Sequence, residues 1–128
     1  MALNRTPLAR VRGLGSAKAG AEHFWRQRLT AVSNLVLVSF LIWLLVTLVG
    51  ADYATVKRTL AQPHYAIPLL LLLLSASVHM RLGMQTIIED YVHSEGRKVA
   101  LLMLNSFFAM LVGLTGAFAV LKLAFGAP

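Results

Sequence analysis

Cysteine is absent from the chain. Its absence excludes thiolate-ligated iron–sulfur clusters, Cys-based zinc sites and disulfides within this polypeptide. There is also no dinucleotide-binding glycine fingerprint, so no flavin or nicotinamide domain is encoded. Acidic residues are few, five against twelve Lys and Arg. Charge of either sign is missing altogether from three runs, Leu29–Ala51, Thr59–Met80 and Val99–Leu121, each of 22 or 23 residues. About 20 apolar residues span the hydrocarbon core of a bilayer. A chain of 128 residues that is 58% hydrophobic and 13% charged has too little volume to hide that surface as a soluble domain. The sequence therefore predicts an all-α membrane protein with three transmembrane helices. Helical spans satisfy their own backbone hydrogen bonds, so no barrel is needed.

The basic residues are unevenly placed. Arg5, Arg10, Arg12, Lys18, Arg26 and Arg28, six of the twelve, precede the first span. That is the positive-inside pattern, and it places the N-terminus inside and, after three crossings, the C-terminus outside. The net charge of +7 is thus explained by topology, not by nucleic-acid binding. Residues 1–22 read as a basic cytoplasmic or matrix tail with glycines and no apolar periodicity. An Arg-rich, acid-poor start also suits a mitochondrial transit peptide, while a secretory signal is excluded by the late, long first apolar run. Residues 23–128 form the membrane domain, with helices over about 26–50, 64–94 and 97–125. Gly50 and Asp52 end the first helix and Gly96 stops the second. Pro68 falls in the first turns of the second, where a missing N–H costs little. Ala109, Gly113 and Ala117 give the third helix a small-residue face for close packing.

The chain's intramembrane polarity is concentrated in the second span. At ~100° per residue, Ser75, His79, Gly83, Thr86 and Asp90 share one stripe of small and polar side chains. His79 lies ~16 Å from Asp90 along the axis, about half a bilayer. With Asp90 and Tyr91 at the inner interface, His79 sits near the midplane. Two readings are open for it: a histidine hydrogen-bonded to a neighbouring helix, or a functional proton relay or metal ligand. Gly83, one turn on, leaves room for a flat macrocycle against the backbone, and Ser75, one turn back, is also small; both favour haem. His64 is ~22 Å and His93 ~21 Å from His79 on the same helix, and His23 precedes the first span. Neither His64 nor His93 reaches the same iron, and His23 lies near the interface, so if His79 binds haem the other ligand comes from another polypeptide.

Asp90 and Tyr91 have a plain reading as a polar helix end with a belt aromatic. Yet Glu89 and Asp90 at a helix C-terminus oppose the macrodipole, so local helix stability does not explain them. A phenol and a carboxylate at the membrane edge can donate a hydrogen bond and deliver protons, as quinone reduction requires. Arg26 and Arg28 open the first helix; one serves topology and the other suits a haem propionate, because a guanidinium matches a carboxylate bidentately. Arg81 points away from the His79 face, toward a buried partner or the inner surface.

The string His79-Met-Arg-Leu-Gly-Met-Gln-Thr-Ile-Ile-Glu-Asp-Tyr91, together with Phe24 and Arg28-Leu-Thr30, resembles the small hydrophobic anchor subunit of succinate dehydrogenase, respiratory complex II. The likeness covers about residues 27–128. It implies that His79 is one axial ligand of haem b, with a larger cytochrome b anchor subunit giving the other. Tyr91 would hydrogen-bond a ubiquinone carbonyl, Asp90 would assist beside it, and Arg28 would lie near the quinone or a propionate. Iron–sulfur and flavoprotein subunits would dock on the inner face and deliver electrons from succinate. The location implied is a bacterial or mitochondrial inner membrane. The rival class is a non-redox three-helix scaffold or small transporter subunit, in which His79 and Arg81 would move protons or ions. A nearer rival, a haem-free fumarate reductase anchor, is disfavoured by the His79 face.

Overall fold

The computed structural model describes residues 6–13 and 19–126. They form α1 (Pro7–Val11), α2 (Ala19–Thr47), α3 (Tyr53–Leu60), α4 (Pro63–Tyr91) and α5 (Glu95–Phe125), with no strand among them. Helices α2, α4 and α5 are each long and apolar enough to cross a membrane, which makes this an all-α protein of three spans. A helix of 29 residues such as α2 or α4 rises roughly 44 Å, against ~30 Å of hydrocarbon, so its ends stand in the headgroup layers. Side chains such as Leu35, Leu114 and Phe118 are largely exposed, which suits a chain whose surroundings are as apolar as its interior.

The spans differ from the expected bounds at their ends. The first helix begins at Ala19, seven residues before 26, so Arg26 and Arg28 lie within it. Arg5 and Lys18 of the basic tail fall outside the described residues. The segment expected to be a plain loop between spans one and two holds α3. Gly50, at φ +80°, takes the left-handed turn after α2. Asp52 then caps α3, its side chain accepting from the Thr55 amide at 3.4 Å. Hydrogen bonding from Thr55 holds the Asp52 carboxyl below the usual carboxylate value. The stability this cap lends α3 is therefore full above the unfolded carboxylate's pKa, and is lost as pH falls through the lower folded one. Gly96 is not the stop of the second span. Helix α4 ends at Tyr91 because Val92 turns extended, φ −99° and ψ 106°, and Gly96 sits in the first turn of α5.

Helix α4 is the centre of the arrangement. It packs on α2 and on α5, whereas α2 and α5 do not pack on each other. The α4–α5 seam is built on small residues. Ala109 and Gly113 are buried; a Cβ on Gly113 would stand 3.0 Å from Ser77 Oγ, and one on Gly116 would stand 2.8 Å from Leu73 Cδ2. The close-approach face thus includes Ala109, Gly113 and Gly116, and Ala117, expected in that role, is half-buried like Gly116. Asn105, 8% exposed, crosses the same seam and donates Nδ2–H to the Arg81 carbonyl at 2.9 Å. Such an interhelical bond contributes roughly 0.6 kcal/mol in a membrane. On the other side, Leu44, Leu72 and Leu82 are buried. Tyr65 stacks on Phe40 and Trp43, with centroids 6.3 Å away in each case, pinning the start of α4 to the end of α2.

Candidate functional site

The site begins with a pattern on α2. His23, Gln27, Thr30 and Asn34 recur at steps of four, three and four, which puts them on one helix face. All four are half-buried. The facing stripe of α4 is Ser75, His79 and Gly83, and three contacts set the antiparallel register. Thr30 Oγ1 lies 3.1 Å from His79 Nδ1. Ser75 donates to the Thr30 carbonyl at 3.4 Å. A Cβ on Gly83 would meet Gln27 Nε2 at 3.4 Å. The Gln27 amide therefore lies against Gly83 at ordinary van der Waals distance, where α2 approaches α4. Sequence alone marks Gly83 as small; it does not say which neighbour uses the room.

His79 is half-buried in this seam. Its Nδ1 is held by Thr30, and Nε2 has no hydrogen-bond partner among the described residues. Beside it, on the flank of α2 and α4, opens an apolar cleft of about 600 Å³ lined by Leu29, Thr30, Val36, Leu71, Ser75 and Val78. Nearer the end of α4 lies a polar cleft of about 440 Å³, lined by His23, Glu22, Arg26, Arg81, Gln85 and Glu89 among others. Along the same seam, His23 Nε2, Gln27 Oε1 and Asn34 Oδ1 are buried without a hydrogen-bond partner, an arrangement that draws in water or a ligand.

The other expected site residues are not gathered around His79. Asp90 and Tyr91 end α4, both exposed, Tyr91 to 77%, and neither side chain makes a hydrogen bond among the described residues. Thr86, expected on the polar stripe, turns its hydroxyl back to the Leu82 carbonyl at 3.2 Å. Arg28 is exposed and lies over the Phe24 ring, 5.0 Å from its centroid. Arg81 is exposed, makes no ion pair among the described residues, and lines clefts on both flanks of α4. Within a span, such a cation snorkels to an interface, faces a water-filled cleft or finds a partner. His64 packs on the Tyr65 ring at 4.2 Å and stands ~22 Å from His79 along α4. Among the described residues no group of three or more His, Asp or Glu is arranged to hold a metal ion. A metal held at His79 thus takes its remaining ligands from elsewhere.

Sequence reasoning passed over Asn105 and the α2 stripe. Asn105 is the lone amide in an apolar run, and the α2 residues keep helical spacing; both signals were legible.

The family described as succinate dehydrogenase/fumarate reductase transmembrane subunit matches residues 2–113. A succinate dehydrogenase hydrophobic membrane anchor subunit of Rickettsia bellii is 29% identical over 107 residues, covering 84% of this chain and 86% of that one. One from Paracoccus denitrificans is 26% identical over 122 residues, covering 95% and 94%. No solved structure matches the chain. The match spans the whole α2–α4 seam and most of α5, so the chain belongs to the succinate dehydrogenase/fumarate reductase transmembrane subunit family.

Proposed function

We propose that this chain is the small hydrophobic anchor of a succinate:ubiquinone oxidoreductase, contributing one axial ligand of haem b and part of the ubiquinone site. The observation that carries the reading is His79 itself. It stands mid-span with Nδ1 held by Thr30 and Nε2 free of any partner among the described residues. That is the state of an imidazole prepared to coordinate a metal. The residues fit haem b in one respect that counts most: one histidine, beside an apolar cleft, in a seam with unsatisfied polar atoms. A second ligand would come from the larger cytochrome b anchor subunit, since His64 stands ~22 Å from His79 along α4 and His93 lies beyond the far end of that helix. When bound, haem b supplies a one-electron carrier beside the quinone site.

The remaining roles belong to this chain's own side chains. Tyr91, exposed at the end of α4, donates its hydroxyl to a ubiquinone carbonyl. Asp90, beside it, accepts and passes the protons that reduction consumes. Arg28 faces a haem propionate or the quinone, free to leave its stack on Phe24 for a bidentate carboxylate. The iron–sulfur and flavoprotein subunits dock on the side of Tyr91, where electrons from succinate arrive. The N-terminus lies on that inner side, in line with the six basic residues at or before the start of the first apolar run, and the C-terminus lies on the other. The membrane is an energy-transducing one, the bacterial inner membrane or the mitochondrial inner membrane.

A Tyr91→Phe change tests the quinone role because it keeps the ring and removes only the hydroxyl. A lost hydrogen bond costs roughly 0.5–1.5 kcal/mol, and more when the partner oxygen stays buried, and each ~1.4 kcal/mol is tenfold in rate. Succinate-to-ubiquinone activity should fall several-fold or more, with the haem spectrum and succinate-to-dye activity unchanged. Asp90→Asn should behave similarly, with an altered pH profile. Unchanged rates in both assays for Tyr91→Phe would reduce the phenol to a belt aromatic.

A further inference from the structure

We infer that Thr30 is a positioning residue that fixes the tautomer of His79, so that Nε2 presents its lone pair. The inference rests on the reading of His79 as a haem ligand and adds the part played by α2. A threonine hydroxyl has one proton and two lone pairs. Here the proton is committed within α2: Oγ1 lies 2.9 Å from the Arg26 carbonyl and 3.1 Å from the Gln27 carbonyl. The contact with His79 Nδ1, 3.1 Å away, is then one in which Thr30 accepts. Nδ1 carries the proton and Nε2 does not. A neutral imidazole has only one N–H, so the bond on one nitrogen decides the state of the other. The hydroxyl is itself immobilised, because its two carbonyl partners belong to a helix and Ser75 donates to the Thr30 carbonyl one turn from His79. The imidazole is thereby fixed in orientation as well as in tautomer. A donated N–H also raises the basicity of the coordinating nitrogen.

The test uses Thr30→Val, which keeps the branched shape and deletes the hydroxyl, and Thr30→Ser, which restores the hydroxyl. The first measurement needs no haem. The full chain, made in a haem-deficient host with ¹⁵N-labelled histidine and placed in lipid vesicles, reports its tautomers by ¹⁵N chemical shift, with His79→Gln assigning the signal. His79 should show Nδ1–H in the native chain and in Thr30→Ser, and a shift toward Nε2–H in Thr30→Val. The second measurement is made on the assembled complex. Thr30→Val should retain haem roughly 10-fold less tightly, and the midpoint potential of the remainder should move positive, because a less basic ligand stabilises ferric iron less. Thr30→Ser should return both toward the native values. A native chain with Nε2–H at His79, or a Thr30→Val chain with native tautomer and native potential, overturns the assignment. Full haem retention in His79→Gln instead overturns the ligand reading, and leaves the tautomer measurement standing by itself.

Discussion

His79→Ala should abolish low-spin haem b in the assembled complex, or leave a small high-spin residue. Loss of a supporting hydrogen bond behind a metal ligand commonly costs 10–100-fold in affinity, so loss of the ligand itself should cost more than ~100-fold. The substitution also removes the Nδ1 contact with Thr30, so the α2–α4 seam loses its central polar tie. Weaker assembly is expected alongside the spectral change. Oxidation of succinate by a soluble dye should persist, because this chain has no cysteine and no dinucleotide fingerprint with which to take part in it. His79 and Tyr91 are separated by ~18 Å along α4, so some quinone reduction should survive where electrons pass directly from the iron–sulfur subunit. Optical and electron paramagnetic resonance spectra of the same membranes check this. A native low-spin signal in His79→Ala removes the haem role.

Gly113→Leu should sharply reduce the amount of assembled complex. Gly113 faces Ser77 so closely that even a Cβ would stand 3.0 Å from Oγ and 3.3 Å from Cβ. A leucine there separates α4 from α5, and with them the Asn105 bond to the Arg81 carbonyl. Overpacking typically costs ~1–3 kcal/mol, which changes a folded ratio by roughly 5–30-fold or more. Because α4 carries His79 and Tyr91, displacement of α5 should lower haem content and quinone activity together. Gly96→Ala is the control, since a Cβ there meets nothing within 4 Å. Native gel electrophoresis and the thermal midpoint of the purified complex measure both. Equal yields for the two variants would show that the seam tolerates separation.

The three spans were legible because they follow from charge-free runs longer than a bilayer is thick, a requirement of composition and length. The ends were less so. Helix α3 has eight residues, too few to register in a pattern of long runs, and its Asp52 cap reads equally well as a turn. Helix α2 extends back to Ala19 because helix formation does not stop where lipid does. The polar stripe of α4 was also legible, since Ser75, His79 and Gly83 keep helical spacing. Its partner was not. Which neighbour lies against Gly83 depends on packing, and here it is Gln27 from α2. The same holds on α5, where Ala117 fits the small-residue spacing and Gly116 makes the close approach to Leu73. Tyr91 and Arg81 are exposed in this chain, and exposure names no partner.

If this chain holds half of a haem site, haem should depend on both anchor subunits. The full chain expressed alone is compared with the chain co-expressed with its larger anchor partner, in matched membranes, by reduced-minus-oxidised spectra and low-temperature electron paramagnetic resonance. Bands of b type with a bis-histidine low-spin signal should arise only on co-expression, and should be lost when His79 is replaced. A stable bis-histidine haem in the chain alone, or co-expressed membranes whose haem is indifferent to His79, would contradict it.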